Sequence, residues 1–265
     1  MESADMRVRT LKVGLLARAA AVFRVDRIAI YRDPEFDDSR FISLVLRYAE
    51  TPQYLRKILF HRRRELSHVG ILPPLRTAHH PVNSRSTSLK VGEIRVGAVV
   101  ESVGSDDGVW VEIGIDRPIP LRTDEKFEAG KRLNVRIFSL SPLAAEPVSR
   151  CEIPSYWGYD TITVNDAEKY LRELQAGDQL VVATSKKGRP LTTRLLHELD
   201  RSSKGGLAVM FGSPARGVDA FLSPEMLDRC YMINTIAHQG TNTVRVEEAV
   251  FATLALLNQM RLPEE

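Results

Sequence analysis

Hydrophobic positions change their spacing along the chain, and the changes mark where one architecture gives way to another. Leu11, Leu15, Leu16, Ala19 and Val22 recur at helical spacing, and Ile28-Ala29-Ile30-Tyr31 then reads as a buried strand. A second helical pattern covers Phe41 to Tyr48. Pro52 marks another helix start, with a helix predicted to continue from Tyr54 to Glu65 until the Pro73-Pro74 break. Alternating helices and strands favour an α/β layer. Between about Thr77 and Lys90 the composition turns polar, with His79, His80, Pro81 and Asn83, and a connector is expected.

Beyond that connector the period becomes two. Ile94, Val96, Ala98 and Val100 alternate, then Val109, Val111 and Ile113, with Ser105-Asp106-Asp107-Gly108 as the turn of a hairpin. Leu133, Val135 and Ile137 alternate again, so residues from about 88 to 140 read as a small antiparallel barrel, a class that includes the oligonucleotide-binding fold. Parallel-strand patterns then resume at Gln179 to Ala183, Leu207 to Phe211 and Tyr231 to Ile233, and a closing helix runs from Glu247 to Met260. The predicted organisation is an α/β domain of residues 1–82 and 149–265, interrupted by a β insert at 83–148.

Each late strand is followed by a loop of small and polar residues. Phe211-Gly212-Ser213-Pro214-Ala215-Arg216-Gly217 follows one, and Ile233-Asn234-Thr235-Ile236-Ala237-His238-Gln239-Gly240-Thr241 another, leading to a helix that opens Arg245-Val246-Glu247-Glu248. Thr184-Ser185-Lys186-Lys187-Gly188 supplies a third loop. Open parallel sheets bind ligands outside the carboxyl ends of their strands, so these loops point to a small-molecule pocket.

Composition alters this picture little. The 265 residues are 43% hydrophobic and 27% charged, enough for one large domain or two smaller ones. A net charge of +3 makes the whole-protein field mildly basic, so a polyanion partner has to be argued from local clusters. Arg56-Lys57 and His61-Arg62-Arg63-Arg64 form the densest one. Cys151 and Cys230 have neither ligand spacing nor a disulfide framework, which suits a reducing compartment, with Cys230 as inert core. No run approaches the ~18 apolar residues of a membrane span. A cytoplasmic protein without a membrane partner is expected. His79 and His80 have no Cys or carboxylate nearby at ligand spacing, which points away from a metal.

Several segments in order closely resemble the SPOUT class of RNA methyltransferases, in the archaeal and eukaryotic family whose domain is split by an oligonucleotide-binding-like insert. They are Ala17-Arg18-Ala19-Ala20-Ala21-Val22-Phe23, Thr51-Pro52-Gln53-Tyr54-Leu55-Arg56-Lys57, Gly70-Ile71-Leu72-Pro73-Pro74-Leu75, Tyr156-Trp157-Gly158-Tyr159 and the carboxyl-terminal block above. The similarity spans most of the chain. It implies a trefoil-knotted parallel sheet with helices on both faces, S-adenosyl-L-methionine in the knot loops, RNA as methyl acceptor, and a homodimer with the site near its interface. General rules argue against a knot, since threaded connections are rare. Similar proteins usually begin with a further strand before the first helix. Met1 to Val8 is too short for one, so either the true start lies upstream or that strand is lacking, with a sheet edge exposed.

On this resemblance the cofactor site comprises Thr184, Ser185, Gly188, Phe211, Gly212, Ser213, Gly217, Ile233, Asn234, Thr235, Gln239, Gly240, Thr241, Val244 and Glu247. Glycines let a ligand approach the backbone, and the hydroxyls and amides can add hydrogen bonds. Glu247 could meet the cofactor's ammonium or a partner subunit, whereas for Glu248 interaction with the helix dipole suffices. No general base is evident. Arg18 and Arg245 are the candidates for catalysis, with burial of Arg18 against a core carboxylate and solvation of Arg245 as the plain alternatives. His238 is expected to pack.

For RNA the candidates are Arg56, Lys57, Arg62, Arg63 and Arg64, which could neutralise phosphates, although a charge run is ordinarily a solvated face. Arg117, Arg122, Lys126, Lys131, Arg132 and Arg136 extend that argument into the insert, where Trp110 is either core or stacking platform. The expected activity is S-adenosylmethionine-dependent methylation of a base in structured RNA, ribosomal RNA foremost, with N3 of a uridine as target. The rival is a noncatalytic RNA-binding or ribosome-assembly factor that keeps the fold. A doubly wound nucleotide-binding enzyme is disfavoured because no Gly-x-Gly-x-x-Gly follows a strand.

Overall fold

A computed structural model describes residues 5–101, 108–213 and 216–261. The chain order is α1 (Met6–Val22), β1 (Arg27–Tyr31), α2 (Ser39–Glu50), the short α3 (Arg56–Leu59), then β2 (Ile94–Val100), β3 (Trp110–Glu112), β4 (Ile119–Pro120), β5 (Arg132–Leu140) and β6 (Leu143–Pro147). It continues with β7 (Asp160–Val164), α4 (Ala167–Ala176), β8 (Leu180–Pro190), α5 (Thr193–Ser202), β9 (Leu207–Met210), α6 (Pro224–Asp228), β10 (Tyr231–Asn234) and α7 (Val246–Leu257). Chain contacts divide it into one unit of Met1–Leu46, His68–Pro73 and Asp160–Glu265, and another of Arg47–Ser67 and Pro74–Tyr159.

The first unit is α/β with parallel sheets. β1 pairs with β7, Arg27 opposite Asp160, and a second sheet has the order β10-β8-β9. Alternation along β8 sends its side chains to two hydrophobic clusters. Val181 and Ala183 join Leu171 of α4 and Met226 of α6, while Val182 joins Leu195 and Leu199 of α5, Ile233 of β10 and Leu257 of α7. Helices therefore cover both faces of this sheet, which is why its strands read as continuous apolar runs. Each buried leucine contributes roughly 1.5–3 kcal/mol.

Local signals start the helices. The Asp5 side chain accepts from Arg7 N at 2.8 Å, Asp166 from Lys169 N at 2.9 Å, and Thr192 from Leu195 N at 3.3 Å. α1 packs on α7, with an edge-on contact of Phe23 and Phe251. Gly14 on α1 lies close against Leu72 and Pro73, where a Cβ would lie 2.7 Å from Leu72 Cδ2.

The second unit holds a five-stranded antiparallel sheet of order β4-β3-β2-β5-β6. Leu121, just past β4, bridges Ala145 on β6, so the two ends of the sheet meet and it nearly closes into a barrel. Val111, Ile113, Ile119, Val135, Ile137 and Ala145 fill its interior. The expected hairpin of β2 and β3 is present, Val99 opposite Val111; residues 105–107 of its predicted turn lie outside the described residues.

Three expectations need correction. The helix expected from Tyr54 to Glu65 is a 3-10 turn at Gln53–Leu55, the four residues of α3, an extended Phe60 and a further 3-10 turn at Arg64–Leu66. His61 to Arg64 offers no apolar side chain to pack and sets like charges side by side, so nothing sustains a helix there. The connector at Thr77 to Lys90 is not uniformly solvated: His79 is 0% exposed. The strand expected to stop at Ala183 runs on to Pro190.

Candidate functional site

The parallel order β10-β8-β9 brings the carboxyl ends of three strands to one sheet edge. Along that edge β8 does something the sequence did not indicate. Met232 of β10 pairs with Ala183, but the next residue, Ile233, pairs with Arg189. Residues 184–188 are thus skipped by the partner strand, so this segment has strand geometry without a β10 neighbour. Gly188 closes the excursion: a Cβ on it would lie 2.5 Å from the Ile233 carbonyl carbon.

The excursion is stitched to both neighbouring loops. Thr184 Oγ1 donates to Met210 O at 3.1 Å, Asn234 Nδ2 donates to Lys186 O at 3.0 Å, and Lys187 Nζ lies 3.5 Å from Asp219. Thr184, Ser185, Gly188, Phe211, Gly212, Ser213, Ile233, Asn234 and Thr235 therefore gather at one edge. The side chains expected to be free donors are largely engaged in shaping their own loops. Ser213 Oγ accepts from Arg216 N at 3.1 Å, Thr235 Oγ1 is 2.8 Å from Thr253 Oγ1 on α7, and Gln239 Nε2 donates to Thr241 O at 2.8 Å. What remains for a ligand is mostly backbone.

Two glycines behave differently. A Cβ on Gly212 would come within 2.8 Å of Arg216 O, so that turn needs a glycine, whereas a Cβ on Gly240 would meet nothing within 4 Å. Any constraint on Gly240 must come from something this chain does not itself place there. Gly217 is exposed at the end of its turn, whose Pro214 and Ala215 lie outside the described residues. Thr241 is exposed, while Val244 and Glu247 are half-buried. Glu248 accepts from Arg245 N at 2.9 Å, capping α7. His238 is a correction: it is exposed, with φ of 59°, and does not pack.

A group of residues that the sequence reading passed over holds the 211–217 loop. Arg216 pairs with Asp33 and with Glu35, the latter at 2.8 Å, and its guanidinium lies over the Phe221 ring. Tyr31 donates its hydroxyl to Phe211 O at 2.6 Å, and burial pushes that phenol well above its ordinary range, keeping it a donor. Asp33-Pro34-Glu35 immediately after a buried strand was the available signal. Of the two catalytic candidates, Arg18 is half-buried on α1 and Arg245 is exposed at the N-cap of α7.

Residues 2–257 match the model of a family described as "Putative RNA methyltransferase". The chain belongs to this RNA methyltransferase family. An uncharacterized protein of Haloarcula marismortui is 38% identical over 97% of this chain and 94% of its own length. The 28S rRNA (uridine-N(3))-methyltransferases of Mus musculus and Homo sapiens are each 28% identical over 94% of this chain, covering 71% and 73% of their own lengths.

The structure sorts the members of the basic segment. Lys57, Arg62, Arg63 and Arg64 are exposed. Arg56 is committed elsewhere: its Nε donates to Thr51 O at 3.0 Å, its Nη2 to Ala49 O at 3.3 Å, and it stacks on Tyr48. It thereby satisfies carbonyls at the end of α2, and burial lowers its pKa. Arg132 and Arg136 of the insert are likewise engaged, Arg132 by Glu50 and Arg136 by Glu146 and Glu152.

Glu50 anchors a buried cluster in the second unit. Arg132 binds its carboxylate through both guanidinium nitrogens, at 2.5 and 2.8 Å, and His79 Nε2 is 3.0 Å from Oε1. Burial would raise the Glu50 carboxyl, but hydrogen bonds from His79 and Arg132 bring it down to about 2. Burial and neighbouring His79 lower His80 to about 4. Gly158 is required beside them: its φ is +87° and a Cβ would lie 2.5 Å from Glu50 Oε1.

Proposed function

We propose that this RNA methyltransferase transfers a methyl group from S-adenosyl-L-methionine to N3 of a uridine in ribosomal RNA, through a SPOUT-type trefoil-knotted domain of residues 1–82 and 149–265 that carries an oligonucleotide-binding-like insert at 83–148. The observation that carries the cofactor assignment is that the 184–188 segment is tied to the ends of β9 and β10 through Met210 and Asn234 at one edge of the β10-β8-β9 sheet. The residues fit such a ligand. Its adenine and ribose need closely approached backbone groups more than charges, and the edge offers glycines, carbonyls and an open flank at Gly240. The cofactor supplies an electrophilic methyl carbon.

The chain's own task is alignment and charge. Segments tied to one another by Thr184 and Asn234, and to α7 by Thr235, lose little entropy on ligation, which is how a preorganised site contributes to rate. The N3 position of uridine carries a proton, and its departure to solvent water leaves negative charge on the ring carbonyls, while the new N–CH3 bond forms as the methyl–sulfur bond breaks. Arg245, exposed beside the 235–244 loop, is the residue assigned to stabilise that charge, with Arg18 as the second cation. Lys57, Arg62, Arg63 and Arg64 provide sequence-independent phosphate affinity.

The 28S rRNA (uridine-N(3))-methyltransferase relatives support the acceptor assignment. α7 supports a homodimer: Val246, Val250 and Leu254 of this apolar helix remain half-buried, and a second copy would cover them. Incubation of unmodified ribosomal RNA with the protein and methyl-labelled S-adenosylmethionine, followed by nucleoside mass spectrometry, tests the reading. N3-methyluridine is the expected product, and label on another nucleoside would overturn the acceptor assignment.

A further inference from the structure

The insert presents an aromatic side chain that its core does not use. β5 pairs with β6 through Ile137 opposite Ala145, and the register then jumps to Ser139 opposite Ala144. Phe138 is the extra residue of this bulge, a feature that re-aims a side chain away from the regular pleat. Ile137 is fully buried in the barrel interior, whereas Phe138 is 45% exposed and Leu140 beyond it 47% exposed. The guanidinium carbon of Arg122 lies 4.8 Å from the Phe138 ring centroid.

This pairing is built by the backbone. Arg122 N donates to Ala145 O at 2.7 Å, and Leu121 bridges the same residue, so the segment that closes the sheet also sets Arg122 over the bulge. No carboxylate partner is recorded for Arg122 among the described residues, in contrast to Arg132 and Arg136, which are held by Glu50, Glu146 and Glu152. Trp110, the other stacking candidate of the insert, is half-buried on β3. An exposed cation–π pair stabilises by only about 0.5–1 kcal/mol, a modest return for leaving a phenylalanine in water. Its chemistry fits a ligand that is flat, π-rich and anionic along one side.

We propose that Phe138 and Arg122 form a stacking site for one unpaired base of single-stranded RNA, with the ring as platform, Arg122 as the layer behind it and its charge available to the adjoining phosphate. The proposal rests on the chain acting on RNA. It places recognition of an unpaired nucleotide on the insert, in addition to the loops that bind the cofactor. Every base has a π-face, so the site would be tolerant of sequence but would reject a paired strand.

The test is fluorescence anisotropy of the full chain with a labelled oligoribonucleotide of roughly a dozen nucleotides, single-stranded or in a duplex, over a range of salt. Phe138→Ala should weaken single-strand binding about fivefold or more, leave its salt slope and the duplex affinity unchanged, and be rescued by Phe138→Trp. Arg122→Gln should reduce the salt slope by about 0.7. Wild-type single-strand affinity in Phe138→Ala overturns the stacking site while leaving the RNA reading intact, as does an equal loss on single strand and duplex. Failure of the unaltered protein to bind any RNA overturns both. Retained RNA binding by Phe138→Ala together with loss of a protein partner would reassign the patch to a protein interface.

Discussion

The Glu50 cluster of the second unit and the strand-end loops of the first are both rich in polar groups, yet they spend them differently. Around Glu50, charges face one another directly: the carboxylate takes two guanidinium bonds and an imidazole at 3.0 Å, beside a glycine where a Cβ would collide. The buried His79 Nδ1 has no hydrogen-bond partner among the described residues. In the loops at the edge of β10-β8-β9 the side chains mostly bond to loop and strand backbone, several residues are exposed, and Gly240 borders open space. A polar cluster whose charges face one another stabilises a fold, whereas strand-end loops with exposed backbone accommodate a ligand. The histidines that looked like loop residues in the sequence belong to the first kind.

That contrast can be broken most forcefully at Glu50. Glu50→Gln would leave Arg132 and His79 facing a neutral amide and should destabilise the protein by about 3 kcal/mol in urea denaturation, with S-adenosylmethionine affinity unchanged in the folded fraction. An unaltered midpoint would show that the cluster contributes no stability. The same cluster predicts acid lability. Glu50 titrates near 2 when folded against about 4.5 unfolded, so it stabilises above its unfolded value, and that stability is lost as pH falls from 4.5 towards 2. His80, held near 4 against 6.5, binds its proton less readily when folded, so its contribution is lost as pH falls from 6.5 towards 4. Melting temperature should therefore drop progressively below pH 6.5, and a flat profile to pH 3 would contradict this. Gly158→Ala, strained at φ +87° and crowded by Glu50, should cost about 2 kcal/mol by the same denaturation assay.

On the side of ligand binding, replacing Arg62, Arg63 and Arg64 by Gln should leave stability unchanged, weaken RNA binding several-fold at physiological salt and flatten the salt slope by about 2. An unchanged slope would leave these residues as solvated surface. Arg56→Gln should instead show in stability, since its guanidinium serves the end of α2.

Much of the framework was legible in the chain because local pattern and burial agree. β1, β9 and β10 coincide with short apolar runs, α1 and α7 with helical spacing, and β3 and β5 with alternation that matches the barrel interior, whereas Val96 and Ala98 of β2 pack with Leu55 and Trp157 in a separate cluster. Reading failed where partners distant in sequence decide. The departure of β8 from β10 after Ala183 is set by Gly188 against Ile233, which no periodicity reveals. His79 is buried because Glu50, twenty-nine residues earlier, receives it. Arg56 looked like a phosphate ligand because its neighbours are basic, but the carbonyls of Ala49 and Thr51 claim it. The loops at the sheet edge were legible as glycines and hydroxyls in sequence; that their side chains are taken up by backbone groups and by Thr253 of α7 was not.

The central claim is that the strand-end loops bind S-adenosylmethionine, and calorimetric titration of that compound into the purified chain, beside the Gly240→Val variant, tests it most directly. Saturable binding by the unaltered protein is expected, with at least roughly tenfold weaker binding by a variant whose melting temperature is unchanged, since a side chain at 240 meets nothing in the protein itself. Equal affinity in the two proteins, or no binding by the folded unaltered chain, would contradict it.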